Sequence, residues 1–320
     1  MKPLSFEDVK TFLAPLVIEE DGVDGTFLTE DIRAFVQTYR QDHTYRLWHS
    51  LDLLLKHSPA NRPLRILELG STPYFFSALL LFHFNYEVIG SNVQAKIWPG
   101  KSKIIEKTIV RLRHPPTEQI KSFPVYIFNF ELDEFPFDDS EFDVVLCMEV
   151  IEHLIYSPTH MLAEAHRVLK PGGTLLLSTP NSVNLHKTFQ LIRNRSIDFH
   201  YSAYGVYGRH NREFTKQELT TLLQDCDYVV NHLQLENVYF RFAAWPPNVL
   251  LYKLLLSLSY LPLPYLANKR DYIFLIATST GTGNVTYSET LYQFPRIHHG
   301  ATANKHPQAG KSLGLNIAPR

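Results

Sequence analysis

Glu149, Glu152 and His153 stand at i, i+3 and i+4, a spacing that on a helix brings two carboxylates and an imidazole onto one face. Such a set can hold a divalent cation. A fourth candidate, His210, lies just before Phe214-Thr215-Lys216-Gln217-Glu218, where Thr215 caps a helix with a reciprocal Gln or Glu. The same side chains support a second chemistry. Histidine titrates close to neutrality, so His153 or His210, with Glu149 beside them, can serve as a general base without any metal.

A second group of chemistry-bearing residues lies upstream. Arg65–Leu69 reads as a buried strand that runs through Gly70 and Ser71 into a helix at Phe76–Phe84. A strand ending in Glu68 and a glycine lets the backbone approach a ligand, and the free N–H groups of the following helix favour a carboxylate. Thr72 and Tyr74 occupy positions where further glycines are common in such turns. Asn92 follows Gly70 by 22 residues, near the offset of roughly 20 at which a side chain meets a ribose. A third strand ends in Phe128-Asn129-Phe130-Glu131. There Glu131, or else Asn129, can accept from an adenine amino group.

These residues need a scaffold, and the hydropathy pattern predicts one. Residues 1–62 carry apolar positions at helical spacing (Phe35, Tyr39, Leu47, Leu51, Leu55) and read as a helical extension. From Leu64 short aliphatic runs alternate with helical segments, the signature of βαβ units around a parallel sheet. Seven strands are expected, at Arg65–Leu69, Glu87–Gly90, Val125–Asn129, Phe142–Met148, Thr174–Thr179, Val229–Glu236 and Tyr272–Ala277. The main domain is thus 63–280, with an apolar helical insertion at about 243–266. The polar tail 281–320 lacks periodicity and is expected to be disordered. The basic stretch Lys101–Arg113 is expected to be a solvated helix face.

Composition narrows the function classes. In 320 residues, 31 Lys and Arg face 32 Asp and Glu, so no electrostatic grip on a phosphate backbone is advertised and nucleic acid is disfavoured as a partner. The two cysteines, Cys147 and Cys226, have no paired spacing that would suggest a disulfide framework or a zinc knuckle. The first residues lack the apolar stretch of a secretory peptide, and the expected setting is the cytoplasm. The insertion is too short in its Pro-free core to cross a bilayer. Residues 246–262, flanked by Trp245 and Tyr260, can pack on the sheet, cover an acceptor pocket, form a dimer contact or lie peripherally on a membrane.

The run Phe135–Leu154, containing Phe142-Asp143-Val144-Val145-Leu146-Cys147-Met148-Glu149-Val150-Ile151-Glu152-His153, resembles the class I S-adenosylmethionine (SAM) dependent methyltransferases, especially the type 11 group. Ala163–Asn181, with Leu169-Lys170-Pro171-Gly172-Gly173-Thr174, is similar to that group's helix, turn and fifth strand. The resemblance implies a Rossmann-like seven-stranded sheet flanked by helices, with its last strand antiparallel. It implies SAM as cofactor, with Glu68, Gly70 and Ser71 at the methionine end, Asn92 at the ribose, Asn129 or Glu131 near the adenine, and Met148 lining the crevice. The acceptor, a small-molecule or lipid- or glycan-linked hydroxyl, is then expected above Glu149 and His153. The motif order is also similar to ubiquinone-pathway O-methyltransferases and small-RNA 2′-O-methyltransferases. In both a metal polarises the accepting hydroxyl, which makes Glu149, Glu152, His153 and His210 candidate ligands. RNA 2′-O-methylation and a non-catalytic SAM-fold scaffold are the alternatives.

Overall fold

The computed structural model describes residues 3–21, 30–58, 62–93, 106–197, 206–238 and 264–281, together with residues 254, 257, 259–261, 283, 285–287 and 291–292. Its described strands are β1 (Val17–Asp21), β2 (Arg65–Leu69), β3 (Glu87–Asn92), β4 (Glu106–His114), β5 (Gln119–Ile127), β6 (Phe142–Met148), β7 (Leu169–Pro180), β8 (Tyr228–Glu236) and β9 (Tyr272–Ser279). They form one sheet in the order β1-β4-β5-β3-β2-β6-β7-β9-β8. The five strands β5, β3, β2, β6 and β7 run parallel, and β9 runs antiparallel between β7 and the edge strand β8. The chain proceeds outward from β2 in one direction through β3 and β5, then returns to β6 and leaves in the other. A crevice therefore opens at the carboxyl ends of β2 and β6, where ligands bind in open α/β sheets.

Seven of the nine strands lie where the alternation of aliphatic runs predicts them. The other two correct the sequence reading. The segment expected as a basic helix face is β4, in register with β5 from Glu106↔Ile127 to His114↔Gln119. Val110 and Leu112 point into the core while Ile109 and Arg111 are exposed, the period of two that a half-buried strand requires. Within the extension expected to be helical, β1 pairs with β4, and Glu19 bridges Arg113 at 3.1 Å. Its five-residue run is too short and too acidic to announce a strand, and the neighbouring edge supplies its hydrogen bonds.

Helices α1 (Phe6–Leu13), α2 (Glu30–His57) and α3 (Phe75–His83) cover one face of the sheet, and α4 (Thr159–Val168) and α6 (Lys216–Asp225) the other. The shorter α5 (Leu185–Ile192) and α7 (Pro264–Ala267) lie near the carboxyl ends of the strands. Ser5 and Asp8 form a capping box that starts α1, and Thr215 with Glu218 starts α6 in the same manner. Leu219, Leu222 and Leu223 of α6 and Met161, Leu162, Ala165 and Val168 of α4 are buried against β6, β7 and β9. Each such aliphatic side chain contributes about 1.5–3 kcal/mol when fully buried.

Only part of the insertion is described. Its end is fastened: Asn237 donates to the Ser259 hydroxyl at 2.9 Å, and Arg270 donates to the Ser259 carbonyl. No helix among the described residues is long and apolar enough to cross a membrane. A few residues of the tail are described. Thr286 donates to the Asp225 carbonyl at 2.7 Å, the Tyr292 hydroxyl lies 2.9 Å from that of Ser157, and Leu291 packs on the core of the α4 face. Residues 293–320 lie outside the described residues.

Candidate functional site

At the first turn, Gly70 takes φ +65°, a conformation that costs glycine little. A Cβ there would meet Val150 Cγ2 at 2.6 Å, so the turn and the segment after β6 are in close contact. The Ser71 amide donates to the Ser91 carbonyl at 3.0 Å. The Asn92 side-chain oxygen accepts from the Thr72 amide at 3.2 Å and the Ser71 hydroxyl at 3.4 Å. Gly70, Ser71 and Asn92 are thus brought together, as the spacing predicts, although Asn92 ties the turn through bonds that a ribose would have to share. Glu68 is turned into the core, where the Ser77 hydroxyl donates to it. Burial pushes its carboxyl up to about 8.

Asn129 is buried at the end of β5. Its side-chain oxygen accepts from the Glu131 amide at 2.9 Å, and its side-chain nitrogen donates to the Tyr207 hydroxyl at 2.9 Å. Glu131 accepts from the Ile155 and Tyr156 amides at 3.0 and 2.6 Å through separate oxygens. The carboxylate expected beside an adenine thereby anchors the segment that follows β6. Met148, 7% exposed, ends β6.

The proposed catalytic cluster is built differently from the single helical face that its spacing suggests. Glu149 sits just past the end of β6 with φ +58°, and Ile151–His153 form one turn of 3₁₀ helix. Glu149 accepts from the Ser178 hydroxyl at 3.1 Å and pairs with Arg46 of α2 at 3.7 Å. It stands apart from the group that converges. That group is Glu152, His153 and His210, each offering one ligand atom within 4.8 Å of the others.

Glu152 has no exposed surface. Thr179 donates to one carboxylate oxygen at 2.9 Å, and the other has no hydrogen-bond partner among the described residues. Burial pushes its pKa well above the usual carboxylate range, and the negative charge of Glu149 adds to the shift. His153 is pushed down to about 4 by burial and by the neighbouring His210, so its ring is neutral at neutral pH. Its Nδ1 lies 3.0 Å from the Arg209 carbonyl. An N–H donated there leaves the lone pair on Nε2. The His210 ring meets that of His153 edge to face, with centroids 4.8 Å apart, and its Nδ1 lies 2.9 Å from Glu213.

Tertiary bonds hold the cluster closed. The Asn211 amide donates to the Glu152 carbonyl at 2.7 Å, and the Asn211 side chain donates to the His153 carbonyl at 2.7 Å. Carbonyl and carboxylate partners on the outer nitrogens of two imidazoles, with a buried carboxylate beside them, make a donor set that suits a divalent transition metal. Bonding at roughly 2.0–2.2 Å requires the three ligand atoms to draw slightly together. Arg46, Tyr207, Thr179, Asn211 and Glu213 belong to this site and were not singled out by spacing. Thr179 sits in the Ala163–Asn181 run that carries the resemblance, and Asn211 and Glu213 flank His210, so these three had a local signal. Arg46 and Tyr207 had none.

Residues 36–233 match the methyltransferase domain family. The chain belongs to that family. Over 121 residues, 38% of this chain and 38% of the relative, the chain is 34% identical to a probable S-adenosylmethionine-dependent methyltransferase of Mycolicibacterium smegmatis. It is 46% identical over 41 residues to a ubiquinone biosynthesis O-methyltransferase of Pseudomonas paraeruginosa, a stretch covering 13% of this chain and 17% of that one. The chain thus spans well under two thirds of the length of these curated relatives. A SAM-dependent methyltransferase structure from Archaeoglobus fulgidus aligns over 77% of this chain and 99% of that one, with 14% identity and a TM-score of 0.47.

Proposed function

We propose that this methyltransferase binds SAM at the carboxyl ends of β2, β3 and β5 and transfers its methyl group to a hydroxyl oxygen presented to Glu152, His153 and His210. The observation that carries the reading is the Glu152 carboxylate oxygen that is buried beside two imidazoles without a partner among the described residues. Leaving such a group unsatisfied costs about 1–3 kcal/mol, and an acceptor hydroxyl or a cation satisfies it. Family membership supports the cofactor, with Gly70 and Ser71 at its methionine end, Asn92 at the ribose and Asn129 toward the adenine. The short match to a ubiquinone biosynthesis O-methyltransferase supports oxygen as the accepting atom.

In this reading the acceptor oxygen attacks the methyl carbon in line with the departing sulfur. The O–C bond forms as the C–S bond breaks, S-adenosylhomocysteine leaves, and the hydroxyl proton passes to a base. His153, neutral because it is buried, offers its Nε2 lone pair to that proton. The turn and the loop around His210 supply alignment, which is where most of the rate enhancement of such a displacement arises. Glu152, His153 and His210 also fit a divalent cation, which when bound lowers the pKa of the accepting hydroxyl.

Calorimetric titration with SAM, first in chelator and then with magnesium, manganese or zinc, tests both levels. SAM is expected to bind in chelator. Metal binding that disappears in Glu152→Gln identifies the cation as part of the site, and its absence leaves His153 as the base. Failure to bind SAM under every condition overturns the enzymatic reading in favour of a scaffold.

A further inference from the structure

Asn129, assigned above to the adenine end of the cofactor site, is 1% exposed. A ligand therefore reaches its side-chain amide only by displacing what covers it. The group bonded to that amide is the Tyr207 hydroxyl, which accepts from the side-chain nitrogen at 2.9 Å. Glu131 and Tyr156 lie near the same hydroxyl. Tyr207 stands in one turn of 3₁₀ helix, Val206–Gly208, that leads into the loop bearing His210. Further along this loop the backbone turns to the cluster. The Arg209 carbonyl lies 3.0 Å from His153 Nδ1, and the Tyr207 backbone meets the same ring. Asn211 donates from its backbone amide to the Glu152 carbonyl and from its side chain to the His153 carbonyl, each at 2.7 Å. One short loop thus has a side chain seated on Asn129 and a backbone seated on the residues that face the acceptor. The segment on the other side of the cluster is held more firmly, because Glu131 accepts from two backbone amides, those of Ile155 and Tyr156, whereas Tyr207 and Asn129 share one bond between neutral side chains.

We propose that Tyr207 gates the purine end of the cofactor site: its hydroxyl holds the Asn129 amide, SAM displaces it on binding, and the loop that carries His210 is loosened with it. The inference rests on the proposed function, from which it takes Asn129 as the adenine contact, and adds the positioning residue that sets cofactor affinity and links it to the acceptor cluster. A ligand whose site is competent for only a fraction of the time binds more weakly by that fraction, so the Tyr207 bond acts against SAM. The linkage is reciprocal. Bonds that fasten the loop at Glu152 and His153 disfavour SAM, and SAM in turn weakens the hold of the loop on the cluster. Cofactor entry thereby prepares the entry of the acceptor past His210.

Calorimetric titration of full-length wild type and Tyr207→Phe with SAM, both in chelator, reads the gate directly. Phenylalanine keeps the ring and removes only the hydroxyl, so Tyr207→Phe is expected to bind SAM about three- to tenfold more tightly, the worth of one hydrogen bond. Damage to the fold weakens binding, and a gain in affinity therefore has no purely structural origin. A second readout needs no variant. Hydrogen exchange at the Asn211 amide, which fastens the loop to Glu152, is expected to quicken when SAM is added to wild type, whereas a ligand that only rigidifies its site slows exchange. Equal or weaker SAM binding by a folded Tyr207→Phe, or slower exchange at Asn211 in wild type, overturns the gate and leaves the cofactor reading standing. SAM binding by neither protein overturns the cofactor reading and the gate with it.

Discussion

Gly70 and His153 show two ways in which single residues constrain this site. Replacing Gly70 by Ala places a methyl 2.6 Å from Val150 Cγ2 at a positive φ. The conformational strain alone is about 1–3 kcal/mol. Gly70→Ala is therefore expected to lower the denaturation midpoint and to weaken SAM binding, both measurable on purified protein, and a variant with wild-type stability and affinity would contradict the close approach. The histidines act on the chemistry. His153→Ala and His210→Ala should each reduce turnover of the true acceptor roughly a hundredfold to ten-thousandfold, the range for loss of a general base. Full turnover in both would remove them from the site. Here the sequence was informative, because residue type limits chemistry wherever the chain lies. It was misleading on geometry, since Glu149, two residues before a 3₁₀ turn, points to Ser178 and Arg46 while Glu152 joins the histidines.

At the scale of elements, α2 does more than cover the sheet. Arg46, 1% exposed, carries a positive charge to the carboxyl end of β6, where it pairs with Glu149 and partly offsets the rise that burial imposes on Glu68. Removing one member of a buried pair leaves the other uncompensated, at about 3–5 kcal/mol. Arg46→Met should lower the unfolding free energy measured in urea by an amount of that order at neutral pH, and a negligible change would mean that Glu149 finds another partner. The loop from Tyr207 to Glu213 is a second case. Its contacts with Asn129, Glu152 and His153 join residues far apart in sequence. No periodicity announces such a loop, because its conformation is set by hydrogen bonds to other segments.

The whole molecule responds to pH through its buried charges. Glu68 has a folded-state pKa raised from 4.5 to about 8 by burial. A group whose folded pKa is raised stabilises the fold below its unfolded value, and that stability is lost as pH rises through the folded value. Between pH 4.5 and about 8, wild type should therefore lose stability that Glu68→Gln retains, a difference on the order of a few kcal/mol. Parallel denaturation curves for the two proteins across this window would refute the shift. The apolar insertion gives a second global prediction: with no spanning helix among the described residues, flotation with neutral liposomes should recover only a minor fraction of the protein, and near-complete recovery would assign residues 246–262 to a membrane surface. The sequence alone determined the parallel core of the sheet, seven of its nine strands along the chain, and the residue types at the site, because periodicity and turn chemistry are local properties. Tertiary structure decided that a basic segment is strand β4, that Glu131 anchors a loop, and that Glu152, His153 and His210 converge. Each of these depends on hydrogen bonds and burial supplied by segments distant in the chain, and no local pattern encodes those partners.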